Sequence, residues 1–127
     1  MPDIIIIDDE VQIAELLAEV GQMAGYKTTT YTEARYFLKN FSRDNQKKSI
    51  IFLDLSMPDI DGIEVITELG KRQCKAGIFL MSGFDTELLN SARHIALEYD
   101  LNIIETLNKP MDIGYVSQLL EDLKATL

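Results

Sequence analysis

Short apolar runs recur along this chain, and between them apolar residues return at every third or fourth position. Two of the runs, Ile4–Ile7 and Ile50–Leu53, contain no polar residue, which is typical of strands buried on both faces. A third run, Tyr26–Tyr31, is β-branched and aromatic but more polar, which favours an edge strand. The pattern predicts five strands, Asp3–Ile7, Tyr26–Tyr31, Ile50–Asp54, Ala76–Met81 and Asn102–Leu107.

The segments between and after these strands predict five amphipathic helices, because their apolar residues follow the spacing i, i+3, i+4, i+7. Asp9, Thr32 and Asp85 are suited to begin the first, second and fourth helices, since their side-chain oxygens can accept hydrogen bonds from first-turn amides. Gly25 is suited to end the first helix. The polar segment Ser42–Lys48 is expected to form an exposed loop.

The alternation of strands and helices predicts the fold class. A chain of this kind forms a parallel sheet with helices on both faces and right-handed crossovers. With 127 residues it is long enough for one core and too short for two. We therefore expect residues 1–127 to form one doubly wound (βα)5 domain of the flavodoxin-like class, with strand order 2-1-3-4-5.

Charge and composition exclude several functions. The chain has 21 acidic and 12 basic side chains, a net charge of −9, so no basic excess is available to neutralise nucleic-acid phosphates or an anionic membrane. Its one cysteine, Cys74, cannot form an intrachain disulfide, which favours a reducing compartment. Neither a transmembrane-length apolar run nor a signal peptide is present. A cytoplasmic protein that binds neither nucleic acid directly nor membrane is expected.

Reactive side chains follow the predicted strands at one edge of the sheet. Asp8 and Asp9 end the first strand, and Asp54 ends the third. Ser82 follows the fourth strand, and Lys109 follows the fifth. In the order 2-1-3-4-5, strands 1 and 3 are neighbours, and the crevice between their carboxyl ends is where open α/β sheets bind ligands. These residues are therefore expected to meet in one place.

Three carboxylates in one crevice need a cation. Two unit charges about 4 Å apart repel by roughly 4 kcal/mol at an effective dielectric constant near 20. Oxygen ligands favour a hard ion, and Mg²⁺ in particular leaves room for a phosphate group. Asp54 can then act as a nucleophile on a phosphoryl group, whose oxygens Lys109 and Ser82 are suited to contact.

Four motifs stand in order at the ends of the predicted strands. They are Asp8-Asp9, Asp54-x-x-Met57-Pro58-x-x-Asp61-Gly62, Ser82-Gly83 and Lys109-Pro110. Each is common alone, but together, spread over nearly the whole chain, they resemble the receiver domain of two-component response regulators. The resemblance implies a signalling domain rather than an enzyme, with self-phosphorylation from phosphodonors and slow self-dephosphorylation as its only chemistry.

The resemblance implies a Mg²⁺ site made by residues of two loops. Asp9 and Asp54 would ligate the ion directly, together with the backbone carbonyl of Ser56, and Asp8 would act through water. No other cofactor is implied.

The resemblance also implies roles in phosphoryl transfer. Asp54 would accept the group from the phosphohistidine of a histidine kinase or from a phosphotransfer protein. Ser82 and Lys109 would contact its oxygens, and a cis peptide bond between Lys109 and Pro110 would aim the lysine. The phosphorylated domain would switch an output domain or a partner protein, and a phosphorylation-linked homodimer is a further expected partner.

The segments Met81–Asp85 and Thr106–Pro110 resemble, more narrowly, receivers that precede an EAL-type cyclic-di-GMP phosphodiesterase domain. This narrower resemblance offers such a domain as one output, and in that case the chain would be the receiver of a longer regulator.

Three positions bear on switching and on the lifetime of the phosphorylated state. The family usually carries Tyr or Phe three residues before the lysine, a ring that turns inward on phosphorylation, whereas this chain has Thr106. Its hydroxyl can follow Ser82, but no aromatic swing is available. By resemblance, Ser56 and Phe84 flank the path of the hydrolytic water. Neither side chain orients water well, so self-dephosphorylation is expected to be slow.

Other classes of protein share this topology. A pseudo-receiver would bind proteins without being phosphorylated, although the acidic set and Lys109 argue against it. A metal-dependent phosphohydrolase would turn over external substrates. A flavin-binding protein would need a Ser/Thr/Gly-rich phosphate loop after the first strand, where Asp8-Asp9-Glu10 would repel the phosphate.

Overall fold

Strands and helices alternate along the chain in the computed structural model, which describes residues 3–41, 49–83 and 85–126. The predicted strands are confirmed to within one residue at either end. The segment Ser42–Lys48 and the residue Phe84 lie outside the described residues. The elements are β1 Asp3–Ile7, α1 Val11–Met23, β2 Lys27–Tyr31, α2 Ala34–Asn40, β3 Ile50–Asp54, α3 Gly62–Lys71, β4 Gly77–Ser82, α4 Thr86–Glu98, β5 Asn102–Asn108 and α5 Ile113–Lys124.

The five strands form one parallel sheet in the order β2-β1-β3-β4-β5, which confirms the predicted fold class. Every residue of β3 and β4 is buried, because helices cover both faces of the sheet at its centre. By contrast, β2 lies at an edge and is largely exposed, as its polar composition predicted.

Successive side chains of the central strands enter two separate cores. In β3, Ile51 and Leu53 pack with residues of α2, α3 and α4. Ile50 and Phe52 face the opposite way and pack with residues of α1 and α5. The Phe52 ring stacks on that of Phe79 in β4, with 4.7 Å between the ring centres. Burial on both faces is why β3 carries an unbroken apolar run up to Asp54.

Two of the predicted helix caps are wrong. Helix α1 begins after Glu10 rather than after Asp9, and α2 begins after Glu33 rather than after Thr32. Neither helix receives a capping bond from the side chain of its own N-cap residue. Asp9 lies before the N-cap position, and the amide of Glu10 donates instead to Asp8 Oδ1 at 2.9 Å.

Other predicted helix ends are confirmed. Asp85 begins α4, and its carboxylate accepts a hydrogen bond from the amide of Leu88 at 2.9 Å. Gly25 follows the last residues of α1 with a φ of +92°, a left-handed conformation that glycine adopts without steric cost.

The register between β4 and β5 shifts by one residue. Ile78 lies opposite Ile103, but Phe79 lies opposite Glu105, so Ile104 is an extra residue on β5. The side chain of Ile104 packs against Gly77, where a Cβ atom would lie 2.4 Å from Ile104 Cδ1 and would require the Ile104 side chain to move. Because of this shift, the side chains after Ile104 lie on the opposite face of the sheet from the one that simple alternation would give them.

After the shift, Thr106 lies opposite Leu80, a residue of the core that contains α3 and α4. Thr106 accordingly lines a groove of about 500 Å³ beside α4, together with Arg93 and Leu97 of that helix. The predicted switch residue therefore lies on the α4 side of the sheet.

Candidate functional site

Parallel pairing of β1 and β3 brings two carboxylates to one point. Ile7 lies opposite Leu53, so the residues that follow, Asp8 and Asp54, end neighbouring strands. Both are buried, with relative exposures of 0% and 2%. One oxygen each of Asp8, Glu10 and Asp54 lie within 4.8 Å of one another. Asp8 and Asp54 are thus brought together as the sequence predicted, and Glu10 joins them.

The ammonium group of Lys109 lies among these three carboxylates. Its Nζ atom is 2.8 Å from Asp8 Oδ2, 3.1 Å from Glu10 Oε1 and 3.1 Å from Asp54 Oδ2. The residue is held at the end of β5, where its amide donates to the carbonyl of Ser82 at 2.8 Å. The Lys109–Pro110 peptide bond is cis. Residues from the ends of β1, β3 and β5 therefore share one cluster of charge.

The buried oxygen Asp8 Oδ2 forms an ion pair with the Lys109 ammonium at 2.8 Å, and the hydrogen bonds among the described residues add no other partner to it. A buried carboxylate costs free energy unless its charge is compensated, and the Lys109 ammonium supplies that compensation here.

Burial and charge shift the pKa values of this cluster. Burial raises the pKa of Asp8 to about 6, although the Lys109 ammonium partly opposes the rise. Burial alone would lower the pKa of Lys109, but the carboxylates of Asp8, Glu10 and Asp54 outweigh it and raise that pKa above its usual value. Lys109 is therefore a fixed positive charge near neutral pH.

Asp9 and Ser56 flank this cluster. Asp9 is exposed, and its pKa is raised by partial burial and by the negative charge of Asp54. The amide of Ser56 donates to Asp54 Oδ1 at 3.0 Å, and its side chain is exposed. Both residues thus lie close to Asp54.

Ser82 ends β4 directly after Met81, the residue that pairs with Asp54. It is buried, with 1% relative exposure, and its hydroxyl donates a long hydrogen bond of 3.5 Å to the carbonyl of Asp85. Thr106 lies on the α4 side of the sheet, as described above, and Phe84 lies outside the described residues.

Sequence reasoning missed one residue of the cluster, Glu10. The available signal was its place directly after the acidic pair, but only the fold shows that its carboxylate turns back toward Lys109. Glu10 is itself exposed, so its contact with Lys109 contributes less than the buried pairs do.

The residues present fit a hard divalent cation. The potential ligands are carboxylate and carbonyl oxygens, and the three carboxylates of Asp8, Glu10 and Asp54 share the single positive charge of Lys109. Asp8 and Asp54 form the buried side of such a site, and Asp9 and the Ser56 loop lie around it.

An acidic site at the switch point of a 2-1-3-4-5 sheet, with a lysine directly after the last strand, is the arrangement expected of a receiver domain. Residues 4–121 match the model of the response regulator receiver domain, and the chain belongs to this family. Receiver domains of two-component response regulators bind Mg²⁺ at an acidic pocket and interact with histidine kinases and output domains.

Individual relatives agree with this assignment. A crystal structure of a response regulator from Colwellia psychrerythraea is 33% identical, with a TM-score of 0.87, over 99% of this chain and 98% of that one. An uncharacterized response regulatory protein from Vibrio cholerae is 31% identical over 80% of this chain and 43% of its own length. The alkaline phosphatase synthesis transcriptional regulatory protein PhoP from Bacillus subtilis is 31% identical over 66% of this chain and 34% of its own length.

The chain thus spans less than half the length of these two curated relatives. Within the part of the chain that the structure describes, the helices are too short or too polar to cross a bilayer.

Proposed function

We propose that this domain is a phosphorylation-dependent receiver in which Asp54 accepts a phosphoryl group. The donor is the phosphohistidine of a histidine kinase or a phosphotransfer protein. The observation that supports this role best is the surroundings of the Asp54 carboxylate. It is buried at the switch point of the sheet, beside Asp8, and in contact with the fixed positive charge of Lys109.

In the proposed reaction, an Asp54 oxygen attacks phosphorus and the N–P bond of the donor breaks, with its electron pair returning to the imidazole. In the structure, Asp54 Oδ2 forms an ion pair with Lys109. The ammonium group is therefore already within reach of a phosphoryl group transferred to this carboxylate. Ser82, buried at the end of the next strand, supplies a hydroxyl for another phosphoryl oxygen.

We further propose that Asp9, Asp54 and the Ser56 carbonyl hold Mg²⁺, with Asp8 acting through water. When bound, the ion supplies positive charge to the carboxylates and to the transferred oxygens. The hydrogen bond from the Ser56 amide to Asp54 Oδ1 supports this arrangement, because it fixes the loop that carries the carbonyl next to Asp54.

The proposed partners follow from the family. The phosphorylated domain would act on an output domain or a partner protein, with an EAL-type cyclic-di-GMP phosphodiesterase domain as one output and a homodimer as another. Thr106 would report the phosphorylated state by moving its hydroxyl with Ser82. Its position on the α4 side of the sheet supports the face formed by α4 and β5 as the surface that changes on phosphorylation.

Phosphorylation at Asp54 is testable by intact mass. Incubation with acetyl phosphate and Mg²⁺ should add about 80 Da, one phosphoryl group, to the wild-type protein. The adduct should be absent in Asp54→Asn and without Mg²⁺, and present in the matched control Asp100→Asn. An adduct that persists in Asp54→Asn would refute the assignment, and a wild-type protein that never gains mass would favour the pseudo-receiver.

The lifetime of the phosphorylated state is a separate prediction. Water must attack in line with the Asp54–phosphorus bond, and neither Ser56 nor Phe84 carries an amide or carboxylate to orient it. We expect a lifetime of many minutes or longer. Phe84→Glu combined with Ser56→Asn should shorten it about tenfold or more, a barrier change of about 1.4 kcal/mol.

Decay of the purified phosphorylated protein measures this directly, with Ser56→Asn alone as the intermediate case. A wild-type half-life of seconds, or a double variant that decays at the wild-type rate, would rule out the proposed role of these two residues.

A further inference from the structure

The loop between β3 and α3, residues 55–61, presents Ser56 to Asp54, and its own two ends are tightly held. At the start, the Ser56 amide donates to Asp54 Oδ1 at 3.0 Å. At the end, Gly62 lies against Leu55 so closely that a Cβ atom would be 2.7 Å from the Leu55 Cα atom. The Asp61 carboxylate then accepts a hydrogen bond from the amide of Ile63 at 2.9 Å, and Asp61 is the N-cap residue of α3.

The middle of this loop is held by a different element. Asp59 Oδ2 accepts a hydrogen bond from the backbone amide of Arg35, in the first turn of α2, at 3.0 Å. The N-cap residue of α2, Glu33, makes no side-chain capping bond of its own. One carboxylate therefore joins the first turn of α2 to the loop that contains Ser56, across 24 residues of sequence.

The other oxygen of Asp59 shows that this carboxylate is confined. Oδ1 is buried and, among the described residues, has no hydrogen-bond donor. Neighbouring residues pack the loop in place, since Met57 is buried in the core and Ile60 packs against it. Asp59 is thus placed by its hydrogen bond to α2 and by the packing of its neighbours in the loop.

We infer that Asp59 is a positioning residue for the metal site. By tying the loop to α2, it sets where the Ser56 backbone lies relative to Asp54, although Asp59 itself contacts neither the ion nor the phosphoryl group. This inference rests on the proposed function, because the Ser56 carbonyl is a proposed ligand of Mg²⁺. Residues that orient ligands in this way commonly change metal affinity by an order of magnitude or more.

The test compares two substitutions at Asp59. In calorimetric titration with Mg²⁺ alone, Asp59→Ala should bind about tenfold more weakly than wild type. Asp59→Asn keeps an oxygen that can accept the Arg35 amide, so it should bind nearly as well as wild type. Phosphorylation of Asp59→Ala by acetyl phosphate should recover at high Mg²⁺ concentration, since Asp54 and Lys109 are unchanged.

A matched control separates positioning from simple loss of stability. Asp112 is the N-cap residue of α5, and its carboxylate accepts a hydrogen bond from the amide of Tyr115 at 3.2 Å. Like Asp59→Ala, Asp112→Ala therefore removes one charge and one hydrogen bond to a first-turn amide. It should lower the melting temperature and leave Mg²⁺ affinity unchanged. A second measurement needs no metal: the Ser56 amide should exchange its hydrogen faster in Asp59→Ala, but not in Asp59→Asn or Asp112→Ala.

Several results would overturn the inference. Wild-type Mg²⁺ affinity and Ser56 exchange in Asp59→Ala, with a lower melting temperature, would mean that Asp59 only stabilises α2. Equal weakening in Asp59→Ala and Asp59→Asn would mean that charge matters rather than position. Both results leave the proposed function intact, whereas a wild-type protein that fails to bind Mg²⁺ would remove the metal site and this inference together.

Discussion

Replacing Lys109 with alanine is expected to destabilise the metal-free protein by about 3 kcal/mol at pH 7. The side chain is only 13% exposed, and it compensates two carboxylates that are 0% and 3% exposed. Removing one member of a buried ion pair leaves the other charge uncompensated, which typically costs about 3–5 kcal/mol. Asp8 can take up a proton in the variant, which places the expected loss near the lower limit.

The same substitution is expected to leave Mg²⁺ binding at least as strong as in wild type. Lys109 pairs with Asp54, a proposed ligand of the ion, and with Asp8, which is proposed to act on the ion through water, so its ammonium competes with a metal for their charge. Millimolar Mg²⁺ should therefore raise the melting temperature of Lys109→Ala by at least the wild-type increment. Phosphorylation or the switch that follows it should be impaired, because the proposed phosphoryl contact is lost.

Urea unfolding with EDTA and then with Mg²⁺ measures both effects. Lys124→Ala is the matched control, since this exposed lysine pairs with Glu121 at 3.6 Å and its loss should change stability little. A Lys109→Ala protein that no longer responds to Mg²⁺ would contradict the assignment of Lys109 to the phosphoryl group.

The second large effect is expected from Asp8→Asn, which should stabilise the metal-free protein at pH 7. Burial raises the Asp8 pKa from 3.8 to about 6, so the folded chain binds a proton at a pH where the unfolded chain has lost it. The charge on Asp8 then costs the folded state about 3 kcal/mol at pH 7. This cost falls as the pH decreases through 6 and disappears below the unfolded value near 4.

Chemical denaturation in EDTA at pH 7 and pH 5 tests this prediction. Wild type should gain stability from Asp8 on acidification over this range, and Asp8→Asn should lack that gain while losing part of its response to Mg²⁺. Asp122→Asn, an exposed aspartate on α5, should behave as wild type. If Asp8→Asn were less stable than wild type at pH 7, the attraction of Asp8 to Lys109 would outweigh the cost of burying its charge.

Much of this site was predictable from sequence, and the reason lies in the topology. A parallel sheet places the carboxyl ends of all its strands at one edge, so an acid after β1, an acid after β3 and a lysine after β5 converge whatever their separation in sequence. The apolar runs that locate those strands are unambiguous, because central strands are buried on both faces.

The helix caps show where local pattern fails. Asp9 and Thr32 are of the preferred residue types, yet neither begins its helix. The amide of Glu10 donates to Asp8 instead, and one first-turn amide of α2, that of Arg35, donates to Asp59 of a distant loop. An unpaired first-turn amide donates to whichever oxygen the packed structure brings close to it, and residue preferences near the helix do not predict which oxygen that is.

The sequence by itself determined the alternation of strands and helices, the exposed edge at β2, and the acids and lysine that share one end of the sheet. These follow from periodicity and composition, which are properties of neighbouring residues. Only the tertiary structure decided that Lys109 lies among three carboxylates, that Ile104 turns Thr106 toward α4, and that Asp59 ties its loop to α2. Each of these is a relation between segments far apart in sequence, and its distances are set by how the layers pack.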